Sequence, residues 1–326
     1  MNQIIDAKVR PLVIASQLGK AFNERIAQRV PGLAFVDLAR GDFDIAASDA
    51  EVLLAMPLRA AEVRALSETP AAWPGAIRWV QLFSAGSDGY PRWVFDAPLV
   101  TCARGPSAQP IAEYVFATIL NAARRLPELW AHSPEEWERN KLRTRDVAGA
   151  TLGLIGFGAI GRRIAELALP FGFRVVAHRR TDAPLGIDGV ERAPDIGALL
   201  AQSDYAVLAL PATPQTYRII DKDVLAQAKR GLHFINVARG SLIDQEALLD
   251  ALNREVIGLA SLDVTDPEPL PEGHPFYTHP RVQLSPHISM ITEGAFDKLI
   301  DKLVDNINRY RERRPLPDIV DPHRGY

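Results

Sequence analysis

The stretch that most constrains this chain is Thr151 to Arg180, TLGLIGFGAIGRRIAELALPFGFRVVAHRR. It opens on a β-branched and aliphatic run, breaks at a glycine cluster, continues with helical spacing and closes on a second apolar run, Arg174 to His178. Strand, turn, helix and strand in that order make a βαβ unit, which requires a parallel sheet with crossover helices. Gly156, Gly158 and Gly161 fall on G-x-G-x-x-G spacing where strand gives way to helix. Gly156 permits a tight turn, Gly158 lets the backbone come close to a pyrophosphate, and Gly161 lets the helix lie against its strand. Free N–H groups at the helix start, around Ala159 and Ile160, then face the phosphates. The alternative is a glycine-rich turn used only for packing, but the flanking strands and helix favour a dinucleotide site.

The end of the second strand bears on which dinucleotide. An NAD site usually carries an Asp or Glu about 20 residues past the motif, bonded to the ribose 2′-hydroxyl. His178, Arg179 and Arg180 occupy that place here. Arginine suits a 2′-phosphate, so NADP(H) is the expected preference, with NAD(H) still possible. The competing reading turns both arginines to solvent.

The length of 326 residues allows about two domains, each with its own core. A net charge of −3, with no basic tract, argues against nucleic acid or an anionic membrane surface as partner, and leaves a small molecule. No basic start followed by an apolar core opens the chain, and no apolar run approaches a membrane span, so cytoplasmic residence is expected. Cys102 is the only cysteine; it excludes an intrachain disulfide and a cysteine-based metal cluster, and no metal is expected.

Residues 11 to 103 alternate apolar strands (PLVIAS, LAFVDL, EVLLAM, IRWVQLF, LVTCA) with helical stretches, the pattern of a small parallel α/β domain. Two loops at strand ends stand out, one at Pro57 and Leu58 and one at Ser84-Ala85-Gly86. A glycine-containing loop beyond a parallel strand can present N–H groups to a carboxylate, though an ordinary βα turn has the same look. From Ser107 to about Trp130 the spacing is helical, and residues 131 to 150 read as polar and irregular. After His178 come further strands, DYAVLAL, LHFINVA, VIGLASLDV and VQLSP, so the second sheet should have about six strands. Thr292 to about Arg314 is amphipathic and could return to the first domain.

Three polar residues sit at the ends of these later strands: Arg239, Glu268 and His287. Reduction of a 2-oxo acid needs a proton donor, a group to grip the carboxylate and polarise the carbonyl, and a partner for the donor. Imidazole, guanidinium and carboxylate fit those tasks. Taken singly, each has a bland reading as a surface ion pair or loop residue.

Here the chain resembles the D-isomer-specific 2-hydroxyacid dehydrogenases over nearly all its length. The resemblance rests on LFSAGSDG, PIAEYVFATIL, LGLIGFGAIGRRIA, FINVARGSLIDQEAL, LDVTDPEPLPEGHPFYTHPRVQLSPHIS and the final helix with NINRY. It implies that Arg239 binds and polarises substrate, that His287 is the acid/base and that Glu268 pairs with it. It also assigns Ser84, Ala85 and Gly86 to the substrate carboxylate and Asp263 to the nicotinamide carboxamide, with Pro211, Thr216 and Val237 among the cofactor contacts. The implied fold is two doubly wound parallel-sheet domains. Residues 1–105 and 291–326 would form a flavodoxin-like substrate domain, 106–290 a Rossmann cofactor domain, with the active site in a cleft closed by hinge motion.

The resemblance further implies a homodimer, joined through the long Ser107 helix and the polar segment after it. Thr265 stands where the family often has an aromatic, which bears on packing beneath the Glu268 loop. Formate dehydrogenases carry glutamine in place of this glutamate, so Glu268 speaks against that activity. Arg179 and Arg180 resemble the NADPH-using glyoxylate/hydroxypyruvate reductases of the family. Reductases of bulkier acids such as phenylpyruvate, and non-catalytic nucleotide-sensing scaffolds, are the alternatives.

Overall fold

The structure is a computed structural model that describes residues 10–45, 48–139, 143–321 and 324. Two compact units emerge, Met1–Pro106 with Glu293–Tyr326, and Ser107–Thr292.

The first unit is built on five parallel strands: β1 (Leu12–Ser16), β2 (Leu33–Asp37), β3 (Val52–Ala55), β4 (Trp79–Leu82) and β5 (Val100–Thr101). Their order is β2-β1-β3-β4-β5, the flavodoxin-like arrangement. Parallel strands covered on both faces carry continuous apolar runs, and β3 and β4 are buried at every position. On one face Phe43, Trp73 and Trp93 meet edge to face. On the other, the helix Glu293–Arg311 brings Leu299, Ile300, Leu303 and Ile307 against Ile14, Ile26 and Val52. The amphipathic stripe of that helix thus serves this first sheet. Asn306, fully buried on the same helix, donates to Gln81 Oε1 at 2.7 Å and fixes the helix register on β4.

The second unit contains β6 (Thr151–Ile155), β7 (Arg174–His178), β8 (Val190–Arg192), β9 (Tyr205–Leu208), β10 (Leu232–Asn236), β11 (Ile257–Leu262) and β12 (Val282–Leu284). All pair in parallel, in the order β12-β11-β10-β9-β6-β7-β8. This is a Rossmann sheet whose strand order reverses at β6, next to β9. It has seven strands rather than the six read from the sequence. The additional one, β8, is a three-residue edge strand with Glu191 and Arg192 exposed, too short and too polar to leave a periodic signal. Leu199, Leu200, Leu225, Leu248 and Leu252 cover one face. On the other, the helix Ala108–Arg124 lays Ile111, Val115 and Ile119 against Ile164, Ala165 and Ala168 of the helix Ala159–Ala168.

The long helix also ends earlier than its spacing implies. Arg125 takes φ 51°, and a separate turn, Leu126–Leu129, follows with Pro127 near its start. Proline has no N–H for the preceding turn, so the helix cannot run through it. The segment beyond is not wholly irregular, because Pro134–Arg139 is helical.

Among the buried polar groups, His233 on β10 has a pH consequence. Its Nε2 lies 2.9 Å from Ser261 Oγ, which donates onward to Gln283 Oε1, while Nδ1 is buried with no partner in the described structure. Burial pushes the imidazole pKa down to about 3 from 6.5. The native state therefore keeps His233 neutral while the unfolded chain takes up a proton below pH 6.5. Stability from this group is complete above 6.5 and drains away as the pH falls toward 3. At pH 5 the loss is about 2 kcal/mol relative to pH 7. Urea midpoints measured at the two pH values should show it, and His233→Gln should lessen the difference.

Candidate active site

Because every strand of the second sheet runs the same way, the carboxyl ends of all seven lie along one edge. Residues as distant in sequence as Gly156 and His287 are gathered there by topology. Their order along the edge follows the strand order: the β12 loop, then those of β11, β10, β9, β6 and β7.

At the centre, the three glycines of the β6 loop each meet a different demand. Gly156 has φ 105°, and a Cβ there would stand 2.5 Å from the Ala209 carbonyl oxygen. At Gly161 a Cβ would strike the Gly156 carbonyl oxygen at 2.3 Å. At Gly158, the N-cap, it would meet nothing within 4 Å. Open space before an uncapped helix N-terminus, with Gly158 and Ala159 exposed and Ile160 half-buried, is a cradle that fits a dinucleotide pyrophosphate. On the neighbouring loop, Thr216 Oγ1 donates to the Pro211 carbonyl at 2.8 Å and accepts from Thr213 N at 2.8 Å, which folds Pro211–Thr216 into a closed turn. Val237 is 6% exposed and packs in the core, so only its backbone lies at the strand end.

Beyond β7, His178 Nδ1 is 3.3 Å from the Ala193 carbonyl, Arg179 donates to the Pro184 carbonyl at 3.4 Å, and Arg180 is exposed. The loop is braced from two sides, Arg192 donating to the carbonyls of Thr181 and Ala183, and Arg162 to those of Leu185 and Gly186. Neither bracing arginine was marked out by the sequence.

On the other side of the edge, His287 Nδ1 lies 2.7 Å from Glu268 Oε1, with both side chains partly exposed. A carboxylate can only accept, so Nδ1 carries the hydrogen and Nε2 is left to exchange a proton elsewhere. The Glu268 loop is tied down from several directions. Gln245 bonds the Asp266 backbone with both ends of its amide, Thr265 donates to the Pro267 carbonyl at 2.9 Å, and Leu270 anchors the far end in the core. Thr265 thus contributes a hydrogen bond inside the loop.

Arg239 follows β10, where Asn236 shapes the turn by accepting from Ala238 N at 3.0 Å and donating to the Arg239 carbonyl at 2.9 Å. A Cβ on Gly240 would stand 2.0 Å from the carbonyl carbon of Thr265. Glycine here lets the Arg239 turn sit directly on the loop that carries Glu268, and so brings the three polar residues of the sequence reading onto adjoining loops.

Asp263 is 1% exposed and accepts from Ser285 Oγ, Ile288 N and Ser289 N. The sequence reading gave it a cofactor contact and missed this internal work. In the first unit, the Ser84–Gly86 loop follows β4 and is half-buried. Ser84 Oγ donates to the Gly86 carbonyl at 2.6 Å and lies 3.1 Å from the hydroxyl of buried Tyr90, which also bonds the Ala55 carbonyl at 3.3 Å. Burial pushes the Tyr90 phenol well above its usual value, so it remains a donor. No periodicity distinguished Tyr90. Among the described residues no group of three or more His, Cys, Asp or Glu could hold a metal ion, and no helix is long and apolar enough to cross a membrane.

A seven-stranded parallel sheet with a glycine cradle at its switch point defines a dinucleotide-binding α/β protein. The family follows from residues 116–289, which match the model of the D-isomer specific 2-hydroxyacid dehydrogenase NAD-binding domain. The chain belongs to this family of NAD(P)-dependent 2-hydroxyacid oxidoreductases. It is 34% identical over 236 residues to glyoxylate/hydroxypyruvate reductase A of Yersinia enterocolitica, covering 70% of this chain and 72% of that one. A family member from Xanthobacter autotrophicus, solved with NADPH, superposes at TM-score 0.78 with 26% identity over 98% of this chain and 100% of that one. An NADPH-dependent glyoxylate/hydroxypyruvate reductase from Sinorhizobium meliloti, solved with NADP and malonate, gives TM-score 0.74 and 26% identity over 96% of this chain and 98% of that one.

Proposed function

We propose that the protein reduces a small 2-oxo acid, glyoxylate or hydroxypyruvate, to the D-2-hydroxy acid with NADPH as the preferred reductant. The observation that carries this reading is the 2.7 Å pair of His287 with Glu268, whose loop the Gly240 contact joins to the turn of Arg239. In this reading the Glu268 carboxylate holds the His287 ring by its Nδ1–H, and Nε2 delivers the proton to the carbonyl oxygen. The Arg239 guanidinium grips the carboxylate and polarises the carbonyl, so charge growing on oxygen is met by a fixed cation. On the first unit, the Ser84–Gly86 loop is assigned to a substrate carboxylate through its backbone N–H groups. The turn at Gly156, Gly158 and Gly161 would hold the pyrophosphate, with Arg179 and Arg180 on the 2′-phosphate. When bound, the nicotinamide supplies hydride to the carbonyl carbon.

The small-acid substrate draws support from the 34% identity to a glyoxylate/hydroxypyruvate reductase. Assays of NADPH oxidation with a panel of 2-oxo acids test it: highest kcat/KM is expected for glyoxylate or hydroxypyruvate. A preference for phenylpyruvate would replace the substrate, and tight cofactor binding without any turnover would replace the enzyme by a nucleotide-sensing scaffold. The reading also includes a cytoplasmic homodimer. Trp130 and Trp137 stand 62% and 74% exposed beyond the helix Ala108–Arg124, apolar surface that suits a partner subunit. Sedimentation at twice the chain mass is the expected result.

A further inference from the structure

His287 has φ 55°, in the left-handed region that a branched or ring-bearing residue enters at a cost. Something must hold it there. Three successive backbone N–H groups converge on one residue: His287 N donates to the Asp263 carbonyl at 2.9 Å, Ile288 N to Asp263 Oδ1 at 2.9 Å and Ser289 N to Asp263 Oδ2 at 3.0 Å. The N–H groups of Ile288 and Ser289 hold the Asp263 carboxylate and that of His287 holds its backbone carbonyl, so a single residue grips the left-handed turn at three successive points.

The carboxylate is itself oriented. Ser285 Oγ donates to Asp263 Oδ1 at 2.6 Å, and because its one proton is used there, it must accept from Tyr114, whose hydroxyl is 2.7 Å away. Tyr114 lies on the helix Ala108–Arg124, a rigid element packed on the sheet, and burial raises its phenol above the ordinary value, which keeps it a donor. The bonds thus converge on Asp263, its carboxylate accepting from Ser285 on one side and from the backbone of Ile288 and Ser289 on the other, while His287 N holds its carbonyl.

We propose that Tyr114, Ser285 and Asp263 are positioning residues that clamp the left-handed turn at His287 and so aim its ring at Glu268. This rests on the acid/base reading of His287. It gives Asp263 a task within the chain and assigns tasks to Tyr114 and Ser285 that the glycine, arginine and histidine motifs leave open.

Ser285→Ala and Tyr114→Phe in the full chain test it, with Asp263→Asn as the severest variant. Hydrogen exchange at the amides of His287, Ile288 and Ser289 should rise in Ser285→Ala while the melting temperature and NADPH affinity hold. Its kcat with the best 2-oxo acid should fall by roughly tenfold, a loss in the range expected from slight misplacement of a reacting group. In a His287→Ala background the same change should cost nothing further, since a residue that acts through His287 has no target there. Unaltered exchange and kcat in Ser285→Ala would overturn the clamp, as would an undiminished tenfold loss in the His287→Ala background. His287→Ala with near-normal turnover would instead remove the acid/base reading beneath it, even if exchange responds to Ser285→Ala.

Discussion

His287→Ala is expected to lower turnover of a 2-oxo acid by about 10²–10⁴-fold while NADPH binding is retained. The size follows from what the imidazole does. If His287 is the donor, then without it water must protonate the developing alkoxide, and the advantage of a positioned group is lost. Retention of cofactor affinity follows from the topology. His287 belongs to the loop after β12 and the glycine cradle to the loop after β6, with β11, β10 and β9 between them in the sheet. At about 4.8 Å per strand that is roughly 19 Å, too far for a truncated side chain to disturb the phosphate site. Turnover from steady-state NADPH oxidation and affinity from fluorescence titration give the two numbers. Near-normal turnover would remove His287 from the chemistry, and lost affinity would mean that the substitution acts through the fold.

The Arg179→Asp variant should swing cofactor choice toward NADH. A charge-assisted bond from guanidinium to phosphate contributes about 1.5–3 kcal/mol, so its loss alone lowers kcat/KM for NADPH by roughly 10- to 10²-fold. The new carboxylate adds repulsion toward the 2′-phosphate and an acceptor for the 2′-hydroxyl of NADH. Arg179 is suited to this task because its contact with the Pro184 carbonyl, at 3.4 Å, engages one of five N–H donors. The loop it sits on is fixed by Arg162 and Arg192, so replacement of Arg179 should change the ligand contact without collapsing the loop. Comparison of kcat/KM for the two cofactors is the test. An unchanged ratio would turn Arg179 to solvent and return the cofactor preference to open ground.

Much of the molecule was legible because its signals are local. The β6 unit announced itself through glycine spacing, and the structure gives Gly156 and Gly161 a steric reason and leaves open space at Gly158. The five strands of the first sheet and six of the seven strands of the second were visible as apolar runs. What escaped were features with no period. The edge strand β8 is short and polar, and the break at Arg125 depends on a single proline against an otherwise helical pattern.

By itself, the sequence determined the α/β class, the two parallel sheets, the glycine cradle and which residue types could carry acid/base chemistry, since these depend on neighbours within a few residues or on motif order. The tertiary structure decided how those residues are held. Ser285 and Tyr114 are 171 positions apart yet share a 2.7 Å bond, and Gly240 matters because the Thr265 backbone lies against it. No spacing rule reaches across such separations. They close only because parallel strands deliver all their carboxyl ends to one edge, where distant loops must satisfy one another's polar groups.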